Sequence, residues 1–255
     1  MKYVLFSFWL MLSTGISAQD LHIQAKELPC LNKHFTIKVH IFLDSLGNTN
    51  FNPSSLDGPI QTANQFFSPI CLSFSICEID TIKNYNFDRY DSDTLLGEIL
   101  SKHYDARKIN VYLLKFVKDD PSCGIAALAG VNNPNRAYIF LDKDCPSALS
   151  HELGHFFGLL HTFEGNGREL ANGSNCATEG DLICDTPADP FIEKTPLSRW
   201  IKDCEFIHEG LDPNGHYYIP HTGNIMSYYG CDCGFTRDQY LKMAATYHSG
   251  IKKLW

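Results

Sequence analysis

Residues 151–161 read HELGHFFGLLH and hold the densest chemistry in the chain. His151 and His155 stand four apart, so on a helix they lie one turn apart on one face and both imidazoles can reach a single metal ion. Glu152, beside the first histidine, can reach a water at that metal without being a ligand, which is the place of a general base. A catalytic zinc usually takes three protein groups and keeps one position for water, so a third donor is needed. His161 supplies it on one condition. At about 100° per residue, continuous helix would leave His161 about 120° off the line of His155. Gly158 lies between them and can take φ > 0, ending the helix and turning the chain back beneath the metal. Phe156, Phe157, Leu159 and Leu160 supply apolar surroundings.

The elements that must carry this helix are legible upstream. Residues 35–43 (FTIKVHIFL) alternate as a strand, with Phe35, Ile37, Val39 and Ile41 on one face. A Gly/Asn/Pro/Ser-rich loop over 47–58 leads to a helix over 59–68, and 71–79 (CLSFSICEI) returns to strand. Asp93 caps a second helix reaching to Tyr104, with Leu95, Leu96, Ile99 and Leu100 inward; residues 108–116 and 136–141 are further strands. Interleaved strands and helices predict an α/β layer with a mixed sheet. After the histidine helix, a long stretch rich in Gly, Asn, Asp, Pro and Cys shows almost no period, which calls for disulfides, a bound ion or a site. Residues 235–247 close the pattern as a helix, with Thr236 and Gln239 as a capping box and Tyr240, Met243, Ala244 and Tyr247 as its stripe.

The composition is that of a globular chain. The 255 residues are 44% hydrophobic and 20% charged, with a formal charge of −8, so backbone-driven nucleic-acid binding is excluded as a reading. Lys2, the apolar run from Tyr3 to Met11 and the small residues to Ala18 read as a signal peptide over 1–18; the run is too short to cross a ~30 Å hydrocarbon core. Its removal leaves Gln19 first, a charge of −9, all ten Cys and no stable membrane insertion. Residues 19–34 are expected as a short N-terminal segment and 35–255 as a single domain parted into 35–161 and 162–255. The even number of Cys predicts disulfides rather than a thiolate zinc site, since only Cys231 and Cys233 lie close in sequence. Cys71 and Cys77 would share a face of a straight strand but lie ~20 Å apart, too far to bond each other. The sequon Asn172-Gly173-Ser174 matters only in a host that glycosylates exported chains.

The zinc motif HExxHxxGxxH resembles that of the metzincins in full. His161-Thr162-Phe163, Gly180-Asp181, Asp185-Thr186-Pro187-Ala188 and Asn224-Ile225-Met226-Ser227-Tyr228 narrow the resemblance to the pappalysin or cytophagalysin-like family of secreted metallopeptidases. The resemblance implies an α+β, zincin-like fold: a mixed, mostly parallel twisted sheet, an active-site helix, a disulfide-stapled lower part and a C-terminal helix. It implies zinc on His151, His155 and His161, Met226 in the Met-turn flooring the site, and Tyr228 donating to the oxyanion. Asp stands in many relatives where this chain has Ser227. By resemblance Cys176 pairs with Cys204, while Cys184 is assigned to Cys231 or Cys233. Cys30 is expected in a disulfide rather than blocking the metal.

Asp181, Asp185 and Asp189 lie within nine residues of one another beside exposed carbonyls, a pattern that suits calcium. The rival is a solvated acidic turn in which Asp185 bonds its own backbone before Pro187. The expected activity is secreted, zinc-dependent endopeptidase hydrolysis of protein or peptide substrates by a monomer. Relatives often prefer a basic residue beside the scissile bond. Two readings compete: a zincin whose third ligand is a glutamate on a second helix, and a zinc-binding module without turnover.

Overall fold

The computed structural model describes residues 28–90, 93–117, 123–126 and 138–249. The signal-peptide reading over 1–18 lies outside the described residues, as do the first two residues of the strand expected over 136–141. In chain order the elements are β1 (Lys33–Phe42), α1 (Asp57–Phe67), β2 (Leu72–Ile82), β3 (Arg89–Tyr90), α2 (Asp93–His103), β4 (Ile109–Leu114), β5 (Phe116–Val117), β6 (Gly124–Ala126), β7 (Tyr138–Asp142), α3 (Leu149–Phe156), β8 (Ile201–Lys202), β9 (Glu205–Phe206) and α4 (Arg237–Ser249).

Five strands form one sheet in the order β2-β1-β4-β7-β6. The first four run parallel, and β6 pairs antiparallel with β7, so the sheet is mixed and mostly parallel as expected. Both faces are covered. Phe35, Ile37, Val39 and Ile41 of β1 pack on one face with Phe67 of α1, Leu153 and Phe156 of α3, and Met243 of α4. Phe42, Tyr112, Leu114 and Phe140 pack on the other with Ile99 and Leu100 of α2. The central strand β4 (INVYLL) is buried at every position, the pattern a strand with two covered faces requires. Its expected span over 108–116 breaks at Lys115, and Phe116–Val117 pair with β3 instead. In β2 the register jumps from Ile76 opposite Ile37 to Glu78 opposite Lys38, which makes Cys77 the extra residue of a bulge. No helix among the described residues is long and apolar enough to cross a membrane.

Between α3 and α4 the described helices and strands reduce to a 3₁₀ turn, Leu197–Arg199, and the β8–β9 hairpin. Disulfides hold this half: Cys176–Cys184 and Cys204–Cys231, with Cys30–Cys71 and Cys123–Cys145 nearer the sheet. The expected Cys176–Cys204 pair is therefore corrected, as is the assignment of Cys184 to Cys231 or Cys233. Gly180 at φ 69° and Leu182 at φ 64° turn the chain back so that Cys184 meets Cys176 locally. Cys204, in the turn of the β8–β9 hairpin, accepts a 2.7 Å bond on its carbonyl from the Thr222 hydroxyl, which draws it toward Cys231. Cys77 and Cys233 are exposed thiols. Cys30 is in a disulfide, as expected.

One buried ion pair stitches the strand ends together. Lys143 follows β7; its N–H donates to Leu114 O at 2.7 Å, and its Nζ donates to Phe42 O and to Asp88 Oδ1, each at 2.6 Å. Both side chains are almost fully enclosed, so removing one charge strands the other in low dielectric. Lys143→Met should lower the unfolding free energy by about 3–5 kcal/mol in urea titration, and adding Asp88→Asn should recover part of the loss.

Candidate active site

Helix α3 is short because its end is fixed by Gly158. The Leu159 N–H bonds Gly154 O at 3.0 Å and the Gly158 N–H bonds His155 O at 2.8 Å, with Gly158 at φ 92°, a Schellman stop. The reversal brings His161 back under the helix. His155 Nε2 lies 3.1 Å from His151 Nε2 and 3.0 Å from His161 Nε2. These three are the set of His, Cys, Asp or Glu residues, among those described, whose donor atoms converge tightly enough to hold a metal ion.

Each ring is aimed from outside itself. His151 Nδ1 donates to Ile225 O and His155 Nδ1 donates to Leu159 O, both at 2.7 Å. A carbonyl only accepts, so the proton sits on Nδ1 and the Nε2 lone pairs face one another. His161 is stacked flat on Phe163 with ring centroids 4.7 Å apart. Burial pushes His151 down to about 3, aided by its neighbour His155, and pushes His155 down to about 4. Burial holds His161 well below the usual range too. All three are thus neutral, the form that ligates metal. Facing lone pairs repel unless a cation lies between them, and zinc with Zn–N bonds of ~2.0–2.1 Å holds tetrahedral nitrogens ~3.3 Å apart. The donor set fits zinc.

Glu152 is buried, with its side chain against the β6 backbone: a Cβ on Gly124 would lie 2.7 Å from Glu152 Cγ and from Oε1. A cavity of about 330 Å³ opens beside it, lined by His151, Ile225, Tyr228, Asp232, Lys194 and the Cys123–Cys145 bridge, among others. Met226 is fully buried, and its Sδ packs where a side chain at Gly154 would stand. The Tyr228 ring lies 4.8 Å from His161 and 5.5 Å from His151.

The turn at Met226 is held from the C-terminal helix. The Asn224 and Gln239 amides exchange bonds of 2.9 and 3.2 Å, both side chains being fully enclosed. The Gln239 oxygen also accepts the Thr236 N–H at 2.8 Å, completing the capping box of α4. The capping signal located Gln239 in the sequence, yet nothing there joined it to Asn224. Gly124 carried no signal at all.

The three aspartates do not converge. Asp185 accepts from Thr236 Oγ1 and the Asp238 N–H, binding the start of α4. Asp189 accepts from Thr162, Tyr229 and the Phe191 N–H. These two are corrected as a ligand set with Asp181, because protein donors already occupy them. Asp181 lies instead with Glu169, which the sequence reading passed over, and with Thr186. Glu169 Oε1 and Asp181 Oδ2 are buried, and the Thr186 hydroxyl reaches the Asp181 carboxyl. Burial pushes Asp181 up to about 7, with the charge of Glu169 adding to it; burial, then Asp189, pushes Glu169 up to about 7.

Known proteins are similar to this chain. An extracellular metalloprotease of Neurospora crassa is 25% identical over 82% of this chain and 74% of its own length. One from Sordaria macrospora is 25% identical over 80% of this chain and 70% of its own. The fold resembles that of a Tannerella forsythia promirolysin mutant with a TM-score of 0.62 at 15% identity, over 92% of this chain and 87% of that one. The model of the M43 peptidases, described as pregnancy-associated plasma protein-A, matches residues 93–248, more than half of the chain, which therefore belongs to that family and is a zinc metalloendopeptidase.

Proposed function

We propose that the protein is exported and cleaves peptide bonds with His151, His155 and His161 as zinc ligands and Glu152 as general base. The observation that carries this reading is the meeting of three neutral imidazole nitrogens beside a buried glutamate. Zinc held there supplies a Lewis acid for the scissile carbonyl and makes water a nucleophile at neutral pH. Glu152 takes the proton of the attacking water and returns it to the leaving amine. Tyr228 donates to the developing oxyanion. The substrate lies extended along β6, the last strand of the sheet, and adds main-chain hydrogen bonds there. Its side chain next to the cut bond enters the cavity beside Glu152, where Asp232 offers a counter-charge to a basic residue.

Glu152→Ala should keep about one zinc per chain and lose roughly 10²–10⁴-fold in turnover. His161→Ala should lose both metal and activity. Wild-type hydrolysis by the Glu152→Ala protein would reject the mechanism, and the same assay on a peptide library reads the side chain that enters the cavity. Gly124→Ala tests the seating of the base: its methyl must displace Glu152, so kcat should fall about 10-fold or more with zinc content unchanged.

A calcium ion is the second cofactor of this reading, held by the two buried carboxyls of Glu169 and Asp181 with the Thr186 hydroxyl beside them. The pH dependence follows from the two carboxyls. Both sit at about 7 in the folded protein, against ordinary values of 3.8 and 4.5, so the folded state holds protons the unfolded one has released. Without calcium, the stability present below about pH 4 is lost as pH rises through 7. Calcium binds the ionised pair. In zinc-loaded, calcium-stripped protein, millimolar calcium should raise Tm little at pH 5 and clearly at pH 8. No rise at pH 8 would remove the site.

A further inference from the structure

Asp189 is a buried ionisable group that the proposed chemistry does not use. Both of its oxygens are taken. Thr162 Oγ1 donates to Oδ2 at 2.7 Å, while the Tyr229 hydroxyl and the Phe191 N–H donate to Oδ1 at 2.7 and 3.0 Å. All three donors are neutral, so the carboxyl is held by directed hydrogen bonds with no cation among them; burial pushes its pKa up and these bonds pull it back.

The placement of the partners carries the inference. Thr162 directly follows His161, and Tyr229 directly follows Tyr228. The Thr162 N–H also donates to Met226 O at 3.2 Å, so the two segments are joined once through backbone and once through Asp189. The rings of His161 and Tyr228 also pack, with 4.8 Å between their centroids and Phe163 4.7 Å from each. Apolar contacts hold the rings close but fix their angle weakly. The two hydroxyl bonds supply direction.

We propose that Asp189 is a positioning residue that sets His161 and Tyr228 relative to each other, through Thr162 on one side and Tyr229 on the other. The proposal rests on the reading of His161 as a metal ligand and Tyr228 as the oxyanion donor. A carboxylate suits the task because both sides need an acceptor, and an asparagine has only one acceptor oxygen. The rival account makes Asp189 an anchor for the loop alone, since its bond to the Phe191 N–H starts a turn that seats Phe191 against Phe163 and Tyr229.

The test uses the full secreted chain loaded with cobalt(II), whose visible spectrum reports ligand geometry, together with cobalt affinity and the kcat and KM of zinc-loaded protein on a quenched peptide. Asp189→Asn and Thr162→Val should each raise the cobalt dissociation constant about 10–100-fold and change the spectrum. Their kcat should fall about 10-fold with KM within about twofold of wild type. Thr162→Ser keeps the hydroxyl and should restore wild-type values. Tyr229→Phe, which removes one donor and keeps the ring, should lower kcat with less effect on cobalt. If Asp189→Asn and Thr162→Val only lower Tm, and leave spectrum, affinity and kcat at wild-type values while folded, Asp189 is a loop anchor and the proposal is wrong. A wild-type spectrum unchanged by His161→Ala would instead overturn the site reading itself.

Discussion

Three uncharged imidazoles must turn their lone pairs toward one point, and lone pairs about 3 Å apart repel. Ring stacking on α3 cannot impose that arrangement, so each ring is aimed by a contact from elsewhere. Ile225 O takes the Nδ1 proton of His151, Leu159 O takes that of His155, and Phe163 lies flat against His161. The remainder of the molecule can be read as what keeps those three contacts in place. Burial serves the same end, because a protonated ring would be useless as a ligand.

The supports come from far along the chain. Gly158 does two things with one positive φ: it reverses the chain so that His161 arrives, and it presents Leu159 O to His155. The Ile225 carbonyl is fixed by the turn around Met226, which Asn224 fastens to Gln239 at the start of α4. That helix is seated on the sheet by Tyr240 and Met243. A capping residue of the last helix therefore bears on the direction of the first histidine. On the opposite flank, Cys123–Cys145 ties the lead into α3 to the residue before Gly124, and so holds β6 beside Glu152.

The periodic parts of this design were legible in the sequence. The alternation of β1, the stripe of α4 and its capping box match the structure because each is a local signal. The break at Gly158 could be inferred because the angular mismatch of His161 demanded it. What escaped were relations between distant irregular segments. Glu169 stands in GRELANG, a stretch that reads as solvated loop, yet it is 3% exposed next to Asp181. Asp185 and Asp189 look like their neighbour in sequence and are engaged by donors from α4 and from the segments at His161 and the Met-turn. The disulfides failed for the same reason: the resemblance suggested a long pair, whereas positive φ at Gly180 and Leu182 folds Cys176 and Cys184 onto each other.

The disulfides are placed unevenly with respect to the apolar core, and this has a consequence for the life of the chain. The sheet and its helices bury their own side chains on both faces and hold their strand ends with Lys143. The stretch that brings Phe191 and Tyr228 beside the three histidines has little regular backbone bonding and relies on Cys176–Cys184 and Cys204–Cys231. While its thiols stay reduced, the chain can collapse around the sheet with its cutting edge unfinished. In an oxidising compartment, closing those two bridges would complete the wall of the site after the sheet has packed.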